Sequence, residues 1–326
     1  MASSGTLTNE REGDAFPAVT ALAREALAPE DVDMVLYHGN CRDGLAAAWA
    51  IYHLRNSCVA GSASTDTLPV AYVPLDHNGE VPDVTGRNVL VLDFSFPLET
   101  HRRLVEQART FVVLDHHKTA LVNLGDEPNC FFDMEYSGAR LAWHYAFGEQ
   151  SAPRFIRLIE DRDIWRFAFG DAAKAYHLAL SQLPSTFDTF TSHLDESTLD
   201  RAIEIGGSAL RFMNEQVRAC MKNVDRMKLF SGSLRVGVVS TPLLVSEVGN
   251  AIASSPEFDM ALIYTQSYER DRLRVALRSD SDEIDVSRIA AVYNGGGHVR
   301  AAGFTIDHGD IDKLLMNMGN RPNPLF

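Results

Sequence analysis

Asp115-His116-His117 closes an apolar run, Phe111-Val112-Val113-Leu114. One carboxylate and two imidazoles side by side offer oxygen and nitrogen ligands to a divalent cation. The run reads as a strand, which puts all three residues at a strand's C-terminal edge, where open α/β sheets place their ligands. A second run, Val89-Leu90-Val91-Leu92, ends on Asp93. A third, Met34-Val35-Leu36-Tyr37, ends on His38 and continues into Asn40-Cys41-Arg42-Asp43-Gly44. Three strand ends carrying such groups predict a metal-dependent phosphoryl-transfer site.

Each signal is modest alone. A single Asp at a strand end is more often a turn or cap residue, and His38 alone reads as a buried, satisfied histidine. The combination of His38, Asp43, Asp93, Asp115, His116 and Asp161, each closing an apolar segment of one expected sheet domain, is stronger. Clustered carboxylates repel and raise one another's pKa, and bound divalent cations remove that penalty. Oxygen with imidazole suits manganese, iron or zinc better than calcium. In Asp161-Arg162-Asp163-Ile164-Trp165 the bland reading is a solvated helix end; beside the other ligands, one aspartate becomes a fourth-segment ligand, and Asp161 is preferred. Far downstream, Gly295-Gly296-Gly297-His298 with Arg300 reads as a loop whose backbone amides can approach a phosphate or a base closely. The bland reading there is a flexible turn. Arg274 and Arg278 lie four apart on an expected strand and share a face; Arg278, at the strand end, is the better phosphate contact.

The elements that must position these groups alternate. The expected strands are 34–37, 70–74, 89–93 and 111–115, with helices over 18–27, 44–54, 98–108, 139–147 and 155–161. This βαβ rhythm predicts an α/β fold whose N-terminal sheet is mainly parallel, with helices on both faces. Gly44 opens a helix of small residues, Ala46-Ala47-Ala48, which permits close packing on the sheet. Long helical periodicity over 203–227 predicts a connecting helix, followed by a smaller α/β domain. The expected division is an N-terminal extension over 1–31, a metal-binding domain over 32–200, a helical linker over 201–228 and a C-terminal substrate-binding domain over 229–326.

Composition sets outer limits. A chain of 326 residues favours two domains, and 45% apolar content supports large cores. A formal net charge of −14 argues against a long grip on duplex DNA, which needs an extended basic surface. Cys41, Cys58, Cys130 and Cys220 form no Cys-x-x-Cys pair, so they read as free thiols of a reducing compartment. No apolar run is long enough to span a bilayer. The start lacks a signal-peptide pattern and carries Glu10, Glu12 and Asp14, which disfavours a mitochondrial presequence. The expectation is a soluble intracellular protein, with the cytoplasm first.

With these residues in place, the chain resembles the DHH phosphoesterase superfamily. The resemblance rests on His38…Asp43-Gly44, Asp93, Asp115-His116-His117 and Asp161, then Gly295-Gly296-Gly297-His298-Val299-Arg300-Ala301-Ala302-Gly303-Phe304, and covers roughly residues 32 to 310. The tail is similar to the family's GGGH-type associated domain, as in oligoribonucleases and single-strand exonucleases. The family implies two domains facing a cleft and two manganese ions, with zinc, iron or magnesium as alternatives. Carried over residue by residue, His38, Asp43, Asp93, His116 and Asp161 look like metal ligands, with Asp93 bridging. Asp115 looks like an orienting group and His117 like a phosphate contact. Arg278, Gly295, Gly296, Gly297, His298 and Arg300 resemble the substrate side. One departure stands out: many members have Asp-x-Asp where this chain has Cys41-Arg42-Asp43. Either Cys41 ligates as a thiolate, which favours zinc or iron, or it only packs and one metal is weakly held or absent.

The expected activity is hydrolysis of a phosphodiester in a short oligonucleotide or dinucleotide, releasing mononucleotides. One alternative is a phosphatase acting on polyphosphate or a 3′-phosphorylated nucleotide. Another, motivated by the missing carboxylate, is a nucleotide-binding regulatory module that has lost catalysis. A purely structural ionic cluster is disfavoured, because uncompensated buried carboxylates are costly. A homodimer is compatible with the exposed apolar edge of such folds, and no membrane partner is expected.

Overall fold

The computed structural model describes residues 17–59, 69–76, 79–267, 271–307 and 310–325. The expected N-terminal extension falls largely on residues 1–16, outside the described residues. The chain divides into two compact units after Leu210.

The first unit is built as strand, helix, strand. Its helices are α1 (Ala18–Ala26), α2 (Arg42–Val59), α3 (Leu98–Gln107), α4 (Lys118–Leu124), α5 (Gly138–Phe147), α6 (Arg154–Asp163), α7 (Asp171–Leu180), α8 (Phe187–Ser192) and α9 (Glu196–Met221), the last crossing the division. Its strands are β1 (Met34–His38), β2 (Ala71–Leu75), β3 (Asn88–Leu92), β4 (Thr110–Asp115) and β5 (Cys130–Phe132). All pair in parallel, in the order β2-β1-β3-β4-β5. Chain order reverses between β1 and β3, so the crevice beyond their C-terminal ends is the natural ligand position.

Side-chain alternation explains why the strands read as continuous apolar runs. Leu90 and Leu92 face a core shared with Val35, Val112, Leu114 and Trp49. Val89 and Val91 face the opposite core, with Leu36, Val113 and Leu104 of α3. A strand buried on both faces has no polar side to show. Ala46, Ala47 and Ala48 are fully buried and let α2 lie close against the sheet and α5. Trp49 then stacks on Trp143 of α5 (centroids 6.2 Å apart) and meets Phe155 of α6 edge-on at 4.9 Å.

The second unit has β6 (Asp225–Leu229), β7 (Leu234–Ser240), α10 (Val245–Ala253), β8 (Met260–Ser267), β9 (Arg272–Arg278), α11 (Val286–Ala291), β10 (Gly296–His298), β11 (Ala301–Asp307) and α12 (Ile311–Asn320). Its sheet runs β10-β11-β9-β8-β7-β6, with only β7 and β8 parallel.

Two expectations change here. The connecting helix ends at Met221, and the residues after it form the edge strand β6 on β7, so 225–228 belong to the second sheet rather than to a linker. Its exposed alternation, Asp225-Arg226-Met227-Lys228, disguised it as the end of a polar helix. The glycine loop is partly strand: β10 pairs antiparallel with β11, Gly297 against Ala302. No helix among the described residues is long and apolar enough to cross a membrane.

Trp49→Ala removes a fully buried ring that joins α2, α5 and α6. It should cost about 3–5 kcal/mol in denaturant unfolding; a loss below about 1 kcal/mol would show that this aromatic stack does not hold the helices to the sheet.

Candidate metal centre

The first unit gathers its chemistry at the C-terminal ends of β1, β3 and β4. His38 is the last residue of β1, Asp93 follows β3 and Asp115 ends β4. Asp93 is 1% exposed and adopts a left-handed backbone conformation, φ 54°. A non-glycine residue held there stores strain, a common mark of a functional position. Asp93 Oδ1 lies 3.1 Å from His116 Nε2, and Asp93 Oδ2 lies 3.5 Å from His38 Nδ1. Asp93 therefore stands between two imidazoles from different strand ends.

Asp43 enters from the first turn of α2, which starts just beyond β1. Its Oδ1 accepts the Ala139 amide at the start of α5, at 3.1 Å. Asp43 Oδ2 lies 3.8 Å from His116 Nε2. Two glycines make this approach possible. A Cβ at Gly138 would stand 2.6 Å from Asp93 Cβ and 2.9 Å from Asp43 Oδ2. A Cβ at Gly44 would meet the His38 backbone and come within 3.1 Å of Asp93 Oδ2.

Asp115 orients its neighbours. Its Oδ1 accepts the His116 amide at 2.7 Å and His117 Nδ1 at 2.7 Å, and its Oδ2 accepts the Ser95 hydroxyl at 2.6 Å. With Nδ1 held, His117 Nε2 is the nitrogen left to face a ligand, and the side chain is 37% exposed.

The fourth segment differs from expectation. Asp161 is buried, but both its oxygens accept backbone amides, Ala168 at 2.7 Å and Phe169 at 2.9 Å. It ties down the loop after α6 and does not join the cluster. Asp163 does: its Oδ2 lies 3.5 Å from His116 Nε2. Residues two apart on a helix point to nearly opposite sides, so only one of the pair can face the site. Among the described residues three groups of potential ligand atoms result, His38–Cys41–Asp93, Asp43–His116–Asp163 and Asp93–Asp115–His116–His117, each within 4.8 Å mutually. Cys41 is thus placed where a ligand would be. Ser95 and Gly138 carried no signal in the sequence strong enough to single them out.

The electrostatics call for positive charge. Burial, then Asp163 and Asp93, push the Asp43 carboxyl well above its usual range. Burial and Asp93 raise Asp163 as well. Burial also disfavours ionised Asp93, but the His116 hydrogen bond and the adjacent His38 imidazole outweigh it and hold Asp93 at about 2. Burial opposes charge on His116, yet its bond to Asp93 and the fields of Asp43 and Asp163 raise it to about 10. Burial, then Asp93 and Asp43, push the Cys41 thiol up. A proton on His116 thus does what a cation would do better. Asp43 Oδ2 and Asp93 Oδ2 are buried with no hydrogen-bond donor. Two orphaned carboxylate oxygens among imidazoles fit a divalent cation. Cation binding competes with the His116 proton, so affinity should weaken as pH falls.

In the second unit, Gly295 and Gly297 are glycine for packing: a Cβ on either would strike the backbone of β11, and Gly297 has φ 142°. Gly296 is open, and His298 is exposed. Arg300 donates to Asp282 at 2.8 Å. Arg278 donates to Ser246 at 3.1 Å, beneath α10. Arg274, not Arg278, lines a pocket of about 540 Å³ with Thr265, Phe304 and Thr305.

No family model matches the chain. Among curated proteins, the uncharacterized protein R106 of Acanthamoeba polyphaga mimivirus is 29% identical over 289 residues, 84% of this chain and 68% of its own. Oligoribonuclease NrnB of Bacillus subtilis is 27% identical over 259 residues, 73% of this chain and 63% of its own. The chain spans about two thirds of the length of these curated relatives. A solved DHH domain of PF0399, described as a member of the s1p family of ribosomal proteins, aligns over 92% of this chain and 88% of its own, at 14% identity and a TM-score of 0.58.

Metal-stripped protein should melt at a higher temperature once manganese is added, with about 2.7 kcal/mol of added stability at a hundredfold excess over Kd. Asp163→Asn should lose most of that gain. Asp161→Asn should keep it, while losing about 1–3 kcal/mol with or without metal because one of the two loop amides loses its acceptor and meets an NH2 group instead. The reverse pattern in paired thermal melts would return Asp161 to the ligand set.

Proposed function

We propose that the chain is a DHH-superfamily protein, similar in sequence to an oligoribonuclease and in fold to a solved DHH domain, and that it is a metal-dependent hydrolase cleaving phosphodiester bonds in short oligonucleotides or dinucleotides to mononucleotides. One observation carries the reading: Asp93, strained and buried at the β1/β3 crossing, with Asp43 beside it, presents orphaned carboxylate oxygens ringed by His38, His116, Asp163 and Cys41.

In this reading His38, Cys41 and Asp93 would hold one cation, and Asp43, His116 and Asp163 a second. Manganese suits the oxygen and imidazole donors, and zinc or iron would gain from the thiol. Such a pair of ions supplies an activated water and neutralises charge on the attacking and leaving oxygens of an in-line displacement. The chain's own residues complete the site. Asp115 raises His117 through their hydrogen bond, which favours the protonated ring, and a proton at Nε2 would face a phosphoryl oxygen where negative charge builds. Ser95 and the backbone amides hold Asp115 in place for this. In the second unit, Gly296, His298 and the pocket beside Arg274 would take nucleotide groups. Arg278, Gly295, Gly297 and Arg300 would shape that surface through their packing and ion pairs.

Short substrates are favoured by two observations. The relative named oligoribonuclease aligns over 73% of this chain. The net charge of −14 supplies no long basic track for a duplex. A soluble, cytoplasmic setting agrees with the free thiols and with the absence, among the described residues, of a membrane-crossing helix.

Metal-stripped protein given manganese, zinc or magnesium should release mononucleotides from a 5′-phosphorylated dinucleotide faster than from longer RNA, a cyclic dinucleotide or polyphosphate. Asp93→Ala and His116→Ala should each lower turnover by about 10³-fold or more, equivalent to several kcal/mol of charge stabilisation. Full turnover in the double variant would refute the site. Nucleotide binding without hydrolysis in any metal would establish a regulatory module instead, and preferential phosphate release from polyphosphate a phosphatase.

A further inference from the structure

Three ionisable side chains of the first unit lie deep in the protein and outside the ligand groups: Arg140 is 3% exposed, His144 4% and Glu160 5%. Arg140 and His144 sit one turn apart on α5, and Glu160 lies on α6. Arg140 Nε donates to His144 Nε2 at 2.9 Å, and Arg140 Nη1 donates to Glu160 Oε2 at 3.5 Å. His144 Nδ1 donates to the Gly148 carbonyl at 2.7 Å. A carbonyl only accepts, so the ring hydrogen is on Nδ1, and Nε2 keeps the lone pair that Arg140 needs. His144 is therefore a neutral acceptor, and a second arm of the guanidinium reaches Glu160. Buried ion pairs add little stability over apolar chains of the same size, so stability alone does not account for this network.

Both ends of the network lead into the metal centre. On α5, Arg140 follows Ala139, whose amide donates to Asp43 Oδ1, and Gly138, whose backbone lies against Asp93 and Asp43. The Arg140 amide itself donates to the Ser137 hydroxyl oxygen at 3.3 Å, which fixes the start of the helix. On α6, Glu160 is three residues before Asp163, so the two are neighbours on the helix surface. Asp43 and Asp163 reach the same atom, His116 Nε2, at 3.8 and 3.5 Å. Two carboxylates so placed repel each other, and they come from different helices. The apolar face of α6, Phe155, Ile156, Leu158 and Ile159, is buried, but apolar contacts have no direction. Successive residues are about 100° apart around a helix, so a modest rotation of α6 would carry Asp163 away from His116. A directed ion pair to α5 opposes that rotation.

We propose that Arg140, aimed by His144 and paired with Glu160, is a positioning residue for the metal centre: a buried brace between α5 and α6 that holds Asp43 and Asp163 at the spacing one divalent cation can bridge. The proposal rests on the metal-centre reading and adds to it residues that touch neither cation nor substrate. Its energetic role is to resist the repulsion of two carboxylates before the cation arrives, so the brace acts on metal affinity rather than on the fold.

The test is a manganese titration of the full, metal-stripped chain followed by electron paramagnetic resonance, which counts bound ions and detects magnetic coupling between paired ones, with a metal-free thermal melt beside it. The unaltered protein should bind two coupled ions. The double variant Arg140→Met, Glu160→Met replaces the ion pair by apolar chains. It should melt without metal close to the unaltered protein, yet hold one of the two ions about 10–100-fold more weakly and lose the coupling at manganese concentrations that saturate the unaltered protein. Ile156→Val loosens the apolar face of α6 without altering the pair, and should leave both ions as tightly bound as before. If the double variant does not fold, Glu160→Gln, which keeps the shape and removes the charge, decides the question by a fall in affinity of about threefold or more. Undiminished binding of both ions in the folded variant, or an equal loss in Ile156→Val, would overturn the brace and leave the metal centre standing. An unaltered protein that binds no manganese, zinc or magnesium would remove the metal centre itself, and the brace with it.

Discussion

Asp43, Asp93 and Asp163 face one small space beyond the β1/β3 crossing, and three carboxylates with so little water around them require positive charge among them. Much of the first unit serves this constraint. The parallel sheet brings β1, β3 and β4 to one edge, so that His38, Asp93 and Asp115 come from three different parts of the chain. Glycine at 44 and 138 lets α2 and α5 close on Asp93, where any larger residue would meet its side chain or that of Asp43. Burial raises the electrostatic stakes: the field that pushes Asp43 up and pulls His116 to about 10 would be weak in open water.

The same segment after α6 carries two separate jobs. Asp163 turns toward His116, and Asp161 turns away to collect four loop amides through its carboxylate and its carbonyl. One helix end therefore joins the metal centre to the loop that displays Trp165.

The strand ends were legible in the sequence because a strand buried on both faces leaves a continuous apolar run, and the first polar residue after it marks the edge. His38, Asp93 and Asp115-His116-His117 are readable for that reason. The choice between Asp161 and Asp163 was not legible, because it depends on the rotation of α6 about its axis and on which loop amides lie nearby. The edge strand β6 escaped notice since its exposed side resembles the polar face of a helix. The triple glycine was legible as a special backbone, but its cause was not: Gly295 and Gly297 are required by the closeness of β11 rather than by an open cradle for phosphate. Cys41 could be a ligand or a packing residue from sequence alone, and its position with His38 and Asp93 supports the first.

The most direct test of the account is anomalous diffraction from crystals of the protein grown with manganese. Two peaks are expected, both in contact with Asp93, one also touching His38 and Cys41 and the other Asp43, His116 and Asp163. A single peak away from Asp93, or ions held by Asp161, would contradict the claim that these buried carboxylates exist to share a pair of cations.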